Sequence, residues 1–194
     1  MRKPALTLGL AAVLICASAC TKNDASNKSG QTPAAAKAAG EKTIAAGLPQ
    51  DSKFMAAAKA AGIDKTLGGP GPYTVFVPDD AAFEKLPAGT LDNSSDPQQR
   101  AKITSILTYH ILPGTVLAAD IGKTIDNAKG KAVMMTVGGQ TFTAAKDGGN
   151  IVLTDSAGNQ VHVTKADDQF SNGVVHHIDG VMTPPEPKGE GAAK

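Results

Sequence analysis

The side chains with the greatest chemical reach in this 194-residue chain are four histidines, His110, His162, His176 and His177, and two cysteines, Cys16 and Cys20. Histidines at suitable spacing hold metal ions or move protons near neutral pH. The spacing here argues against a metal site. His176 and His177 are adjacent, and neighbours on a strand point to opposite faces. The chain has no His-Glu-x-x-His or paired-cysteine motif, no Gly-x-Ser-x-Gly and no phosphate-binding loop. The residues therefore predict no catalytic constellation, no metal and no cofactor. The better account of His110 and His176 is a core histidine, which needs a partner for each ring nitrogen.

The elements that must position these residues start with Tyr73-Thr74-Val75-Phe76-Val77, a run of aromatic and β-branched residues. Gly71-Pro72 precedes it and Pro78 closes it. Asp79 or Asp80 is suited to cap a short helix with Ala81, Ala82, Phe83 and Leu86 on its apolar side. Upstream, Asp51 or Ser52 begins a helix through Ala61, with Phe54, Ala57, Ala58 and Ala61 on one face and Gly62 as its end. Asp96-Pro97-Gln98-Gln99 is a helix start, with Asp96 as N-cap, Pro97 in the first turn and Gln99 completing a capping box. Ile103, Ile106, Leu107 and His110 follow at i, i+3, i+4 and i+7, so His110 falls on the buried stripe. Pro113-Gly114 is expected to stop that helix.

From Ala132 onward the period changes to two. Val133-Met134-Met135-Thr136-Val137, Gln140 to Ala144, Ile151-Val152-Leu153, Gln160 to Thr164 and Val174 to Asp179 read as short strands. Gly138-Gly139, Asp147-Gly148-Gly149 and Asp155-Ser156-Ala157-Gly158-Asn159 read as the turns between them.

The N-terminus carries its own signals. Met1-Arg2-Lys3 is basic, an apolar run follows from about Ala5 to Ala17, and small residues close it. The run is too short for a membrane span, which needs about 20 apolar residues. Ala17-Ser18-Ala19-Cys20 resembles a bacterial lipobox, with Cys20 as the lipidated first residue of the mature chain. Cys16 leaves with the signal, so the one remaining cysteine has no disulfide partner. Removing the signal takes Arg2 and Lys3 away, and the basic count falls from 19 to 17 against 18 acids. No basic excess remains to suggest nucleic acid. The expected organisation is a lipoprotein-type signal over 1–19, a disordered tether over 20–42, one domain over 43–185 and a polar tail over 186–194. The location this implies is the bacterial cell envelope, with Thr21 favouring the outer membrane in a Gram-negative cell, and the periplasm or the medium if the anchor is absent.

Three separated segments, Tyr73 to Phe83, Leu107 to Gly114 and Asn172 to Met182, together resemble the fasciclin (FAS1) domain family. The resemblance implies an α+β fold, a β-sandwich-like wedge with several packed helices. It implies structural roles for Thr74, Phe76, Pro78, Phe83, Tyr109, His110, Asn172, Gly173, His176 and Asp179, with His110 bonded to the loops of the other two motifs. His177 departs from the pattern, which usually has an apolar residue there. Asp120-Ile121 matches an Asp-Ile dipeptide linked to receptor binding in animal members, which makes both residues candidate partner contacts. By its own chemistry Asp120 reads as a turn or cap residue.

The function expected on these grounds is a membrane-anchored surface or periplasmic binding module, monomeric as a domain, that mediates adhesion to a surface protein or matrix component. The alternative is a carrier that holds an apolar small molecule in a groove. An enzyme is the third reading and stands last.

Overall fold

The computed structural model describes residues 40–86 and 96–185. Cys20, the expected signal, most of the expected tether and the expected tail lie outside the described residues. Three short helices come first: α1 (Ile44–Gly47), α2 (Lys53–Ala61) and α3 (Asp64–Gly68). Strand β1 (Tyr73–Pro78) leads into α4 (Asp80–Glu84). The longest helix among the described residues, α5 (Pro97–Tyr109), is followed by β2 (Ile111–Pro113) and α6 (Ala118–Asn127). Five strands complete the domain: β3 (Lys131–Met135), β4 (Thr141–Asp147), β5 (Asn150–Thr154), β6 (Gln160–Phe170) and β7 (Gly173–Ile178).

The seven strands of the described residues form one sheet in the order β2-β1-β7-β6-β5-β4-β3. β1 lies antiparallel to β2 and parallel to β7, so the two strands richest in motif residues run side by side. β6 serves both halves. Its start pairs with β5, and its remainder pairs with β7 through two register shifts, between Val163 and Lys165 and between Lys165 and Asp168. Such shifts bend a strand and increase its twist. The two ends of the sheet then come close, because Val137, just past β3, donates its N–H to the Ile111 carbonyl of β2 at 2.7 Å. The sheet is a nearly closed wedge, and the α+β class expected from the sequence holds.

β1 separates two apolar cores by the alternation of its side chains. Val75 and Val77 face a core built with Ile44, Phe54, Met55, Leu67, Ile103 and Leu107 from the helices. Phe76 faces the other way, into a core with Tyr109, Phe142, Leu153, Ile178 and Met182 inside the wedge. Each large apolar side chain buried in this way contributes about 1.5–3 kcal/mol.

Several expectations change in detail. The helix carrying His110 ends at Tyr109 rather than at Pro113, because Ile111 to Pro113 pair with Val75 to Tyr73. The capping box is half made: Asp96 accepts from the Gln98 N–H at 3.0 Å, but Gln99 Oε1 is buried without a partner. Asp79 holds the N-cap position of α4 without a side-chain cap bond, and Asp80 accepts instead from the Lys53 N–H at the start of α2. β6 runs to Phe170 rather than Thr164, since β7 recruits the polar stretch after Thr164 into its ladder.

Candidate functional site

The motif residues converge where β1, β7, α5 and the segment after β7 meet. His110 is the C-cap residue of α5 and is 1% exposed. Its Nδ1–H donates to the Ile106 carbonyl at 2.8 Å, and its Nε2 accepts from the Met182 N–H at 3.0 Å. One bond thus reaches the second motif, while the other stays inside α5. Burial pushes the imidazole pKa down to about 4, so the ring is neutral at physiological pH. Tyr109, fully buried, donates its hydroxyl to the Thr141 carbonyl at 2.9 Å, and burial raises its pKa.

Asn172 is a hub. Its Oδ1 accepts from the Ile44 N–H at 2.8 Å, its Nδ2 donates to the carbonyls of Leu67 and Gly69, and its own carbonyl accepts from the Tyr73 N–H. One side chain therefore ties α1 and the end of α3 to the entrance of β7. Gly173 is fixed by space: a Cβ there would collide with the Tyr73 carbonyl of the adjacent β1. Gly71 faces the Asn172 carbonyl in the same way.

Thr74, fully buried, donates to the Gly114 carbonyl and accepts from the Val116 N–H, both at 2.8 Å. His176, also fully buried, donates Nε2–H to the Val116 carbonyl at 2.9 Å and accepts at Nδ1 from the Asp167 N–H at 3.2 Å. Burial lowers its pKa as well. Its ring lies 5.3 Å from Phe76, its partner across the parallel ladder. Phe76 also meets Phe142 edge-on at 5.6 Å. Pro78 pairs with Ile178, and Phe83 is buried in the helical core.

The other two histidines sit nearer solvent. His162 donates to Asp179 at 3.0 Å, and its backbone N–H donates to the same carboxylate at 2.7 Å. His177 donates to Asp168 at 3.1 Å, and Lys165 holds that carboxylate at 2.7 Å. Among the described residues no group of three His, Cys, Asp or Glu side chains is placed to hold a metal.

The Asp-Ile pair splits. Asp120 is exposed in the first turn of α6 and meets Lys123 at 3.2 Å, but Ile121 is 1% exposed in the core of the wedge. A partner at this turn would touch Asp120 and not Ile121, whose side chain is committed to packing.

Two residues of consequence escaped the sequence reading. Asp155 sits in the turn expected after β5, but its carboxylate reaches much farther. It accepts from the N–H groups of Ala157, Asn159 and Thr183, from Asn159 Nδ2 and from the Thr183 hydroxyl. Burial alone would raise this carboxyl, and the bonds from Thr183 and Asn159 outweigh it and lower the pKa. Asp167, in the bulged part of β6 with φ +63°, accepts from the Ala118 N–H at 2.8 Å and so caps α6 from a distant strand.

With the polar motif residues committed to internal bonds, the surface offers a different feature. Val133 and Met135 on β3, the last strand of the sheet, are 69% and 65% exposed, and Val137, in the turn just past its end, is 44% exposed. The inner side chains of the same strand, Ala132 and Met134, pack on the core. The pairing of Thr136 with Gln140 sets the ladder phase, so the N–H and C=O groups of Val133 and Met135 point away from β4. This strand is apolar on both faces, a signal legible in its composition. Elsewhere, a groove of about 550 Å³ lies between α5 and the segment after β7, with Ile106, Pro184 and Pro185 among its walls and Lys102, Ser105 and Thr183 at hand.

Comparison with known proteins adds the following. The family model described as Fasciclin domain matches residues 49–184. Protein sll1483 of Synechocystis is 36% identical over 142 residues, which span 73% of this chain and 72% of that protein. Human periostin is 34% identical over 137 residues, 71% of this chain and 15% of periostin. The solved structure of a domain pair from the insect cell adhesion molecule Fasciclin I superposes with a TM-score of 0.63 at 18% identity, covering 73% of this chain and 51% of that one.

Proposed function

The chain belongs to the fasciclin domain family, and from that premise we propose that it is a non-catalytic binding module, tethered to a bacterial membrane through Cys20, that mediates adhesion to a surface protein or matrix component. The observation that carries this reading is the exposed apolar pair Val133 and Met135 on a terminal strand, continued by Val137 in the turn after it. Exposed apolar rows on sheet edges are surfaces for pairing or docking. The motif residues support the same division of labour: they hold the two cores together and leave recognition to the outside. A relative in solved structures is described as a cell adhesion molecule, which supports the reading by analogy. The lipobox-like Ala17-Ser18-Ala19-Cys20 supports the anchor.

With nearly balanced charge, recognition rests on shape and local apolar contact rather than on a strong field. Such contacts are weak singly and strengthen when many copies face one surface. The test compares full-length chain with Cys20→Ala, free in solution, with the same chain displayed densely on beads, each offered native cell envelope. Dense display should bind far more strongly. Equal binding by the free and displayed forms would overturn tethered adhesion.

The groove beside α5 favours the carrier as a second reading. Its volume lies within the range of small-molecule sites, about 300–1,000 Å³. Partition of an apolar fluorophore into the purified chain, abolished by Ile106→Asp in a folded protein, would support a carrier; no partition would remove it.

A further inference from the structure

Resting on the binding reading above, we propose that the occupant of the β3 edge is a second copy of this chain, whose own β3 pairs antiparallel to it about a two-fold axis through Met134. Val133 and Met135 present N–H and C=O groups away from β4, and among the described residues no hydrogen bond engages them. Val137 is different, because its N–H is already given to Ile111. The available edge is therefore short and centred on Met134. In the register that satisfies it twice over, Val133 stands opposite Met135 of the second copy, and Met135 opposite Val133. Both are then hydrogen-bonded pairs, as an isologous antiparallel contact requires.

The side chains agree with this register. Cross-strand partners share a face, so Val133 and Met135 of both copies join into one apolar patch on the outer surface. Lys131 of each copy lies at opposite ends of the joint ladder, so no like charges oppose. The near-zero net charge adds no general repulsion. The area closed is a few hundred Å², well short of the roughly 1,200–2,000 Å² of stable complexes. The pair is accordingly weak in dilute solution and gains occupancy where tethered copies crowd.

The test uses the full chain in a background with Cys16→Ser and Cys20→Ser, bearing either Val133→Cys or Met135→Cys. In the proposed register positions 133 and 135 face each other at about 5.5 Å between Cα atoms, while two copies of one position are offset too far for a disulfide. A mixture of the two variants under mild oxidation should give cross-linked dimer, and neither alone should. Val133→Lys should cut self-association by about tenfold or more in sedimentation, as lysine does on natural edges. No dimer in the mixture, or equal dimer in the single-variant samples, overturns the proposal. Beads that fail to pair with each other yet still bind native envelope would reject the second copy and leave the adhesion reading with another partner. Beads that pair with each other but bind no envelope would do the reverse.

Discussion

His110 shows how a residue with catalytic potential is spent on structure. Both ring nitrogens are engaged, one by Ile106 in its own helix and one by Met182 after β7. Replacing it with alanine leaves a cavity, an unpaired carbonyl and an unpaired N–H, and should cost about 1–4 kcal/mol in urea melts. A variant as stable as wild type yet defective in binding would make His110 a contact instead. The same residue sets a pH dependence. Burial holds its folded-state pKa near 4, below the ordinary 6.5. Between those values the unfolded chain takes up a proton that the folded chain refuses. This contribution is therefore full above pH 6.5 and is lost as pH falls toward 4, by a total on the order of 3 kcal/mol. His176, depressed by burial too, acts in the same direction. Melts at pH 7, 5.5 and 4 should show the decline, and a folded His110→Gln variant should show a shallower one. Asp155 gives a third expectation. Asp155→Ala strips five bonds from the β5–β6 turn and from Thr183, and should lower stability by about 2 kcal/mol or more.

At the scale of elements, helices here are fixed as much by distant carboxylates as by their own caps. Asp167 holds the first N–H of α6 from across the fold, in a backbone conformation that side chains rarely adopt. Asp167→Ala removes the cap and keeps the unfavourable φ. The expected loss is about 1–2 kcal/mol, read by thermal or chemical denaturation. An unchanged melt would show that α6 is positioned by Ile121 and Ile125 alone. This dependence on distant partners also explains what the sequence made legible. β1 and the β half carried period-two composition and turn residues, and their existence was readable. α6 is not legible as a helix in the sequence: its buried stripe is little more than Ile121 and Ile125, and its cap, Asp167, lies 49 residues downstream of Ala118. The early end of α5 was hidden because Ile111 and Leu112 continue an apolar stripe as well as they fill a strand, and only pairing with β1 decides between them. The motif residues were legible as structural through their resemblance to a family. Their partners were not, since Asn172 bonds groups more than a hundred residues away. The exposed row on β3 was visible as composition, but its exposure depends on β3 ending the sheet.

On the scale of the whole molecule, the proposed anchoring at Cys20 would place a polar, alanine-rich stretch between the membrane and the domain. Twenty polar, alanine-rich residues behind Cys20 would span on the order of 25 Å as a flexible chain. The domain could then reach outward from the membrane while its copies remain crowded enough for weak contacts to add. Adhesion as proposed here depends on the proposed anchor at Cys20. The most direct measurement is attachment and aggregation of a deletion strain complemented with wild type or with Cys20→Ala at equal protein levels. Wild type should restore both behaviours and Cys20→Ala should restore neither. Full restoration by the anchorless form would contradict tethered adhesion.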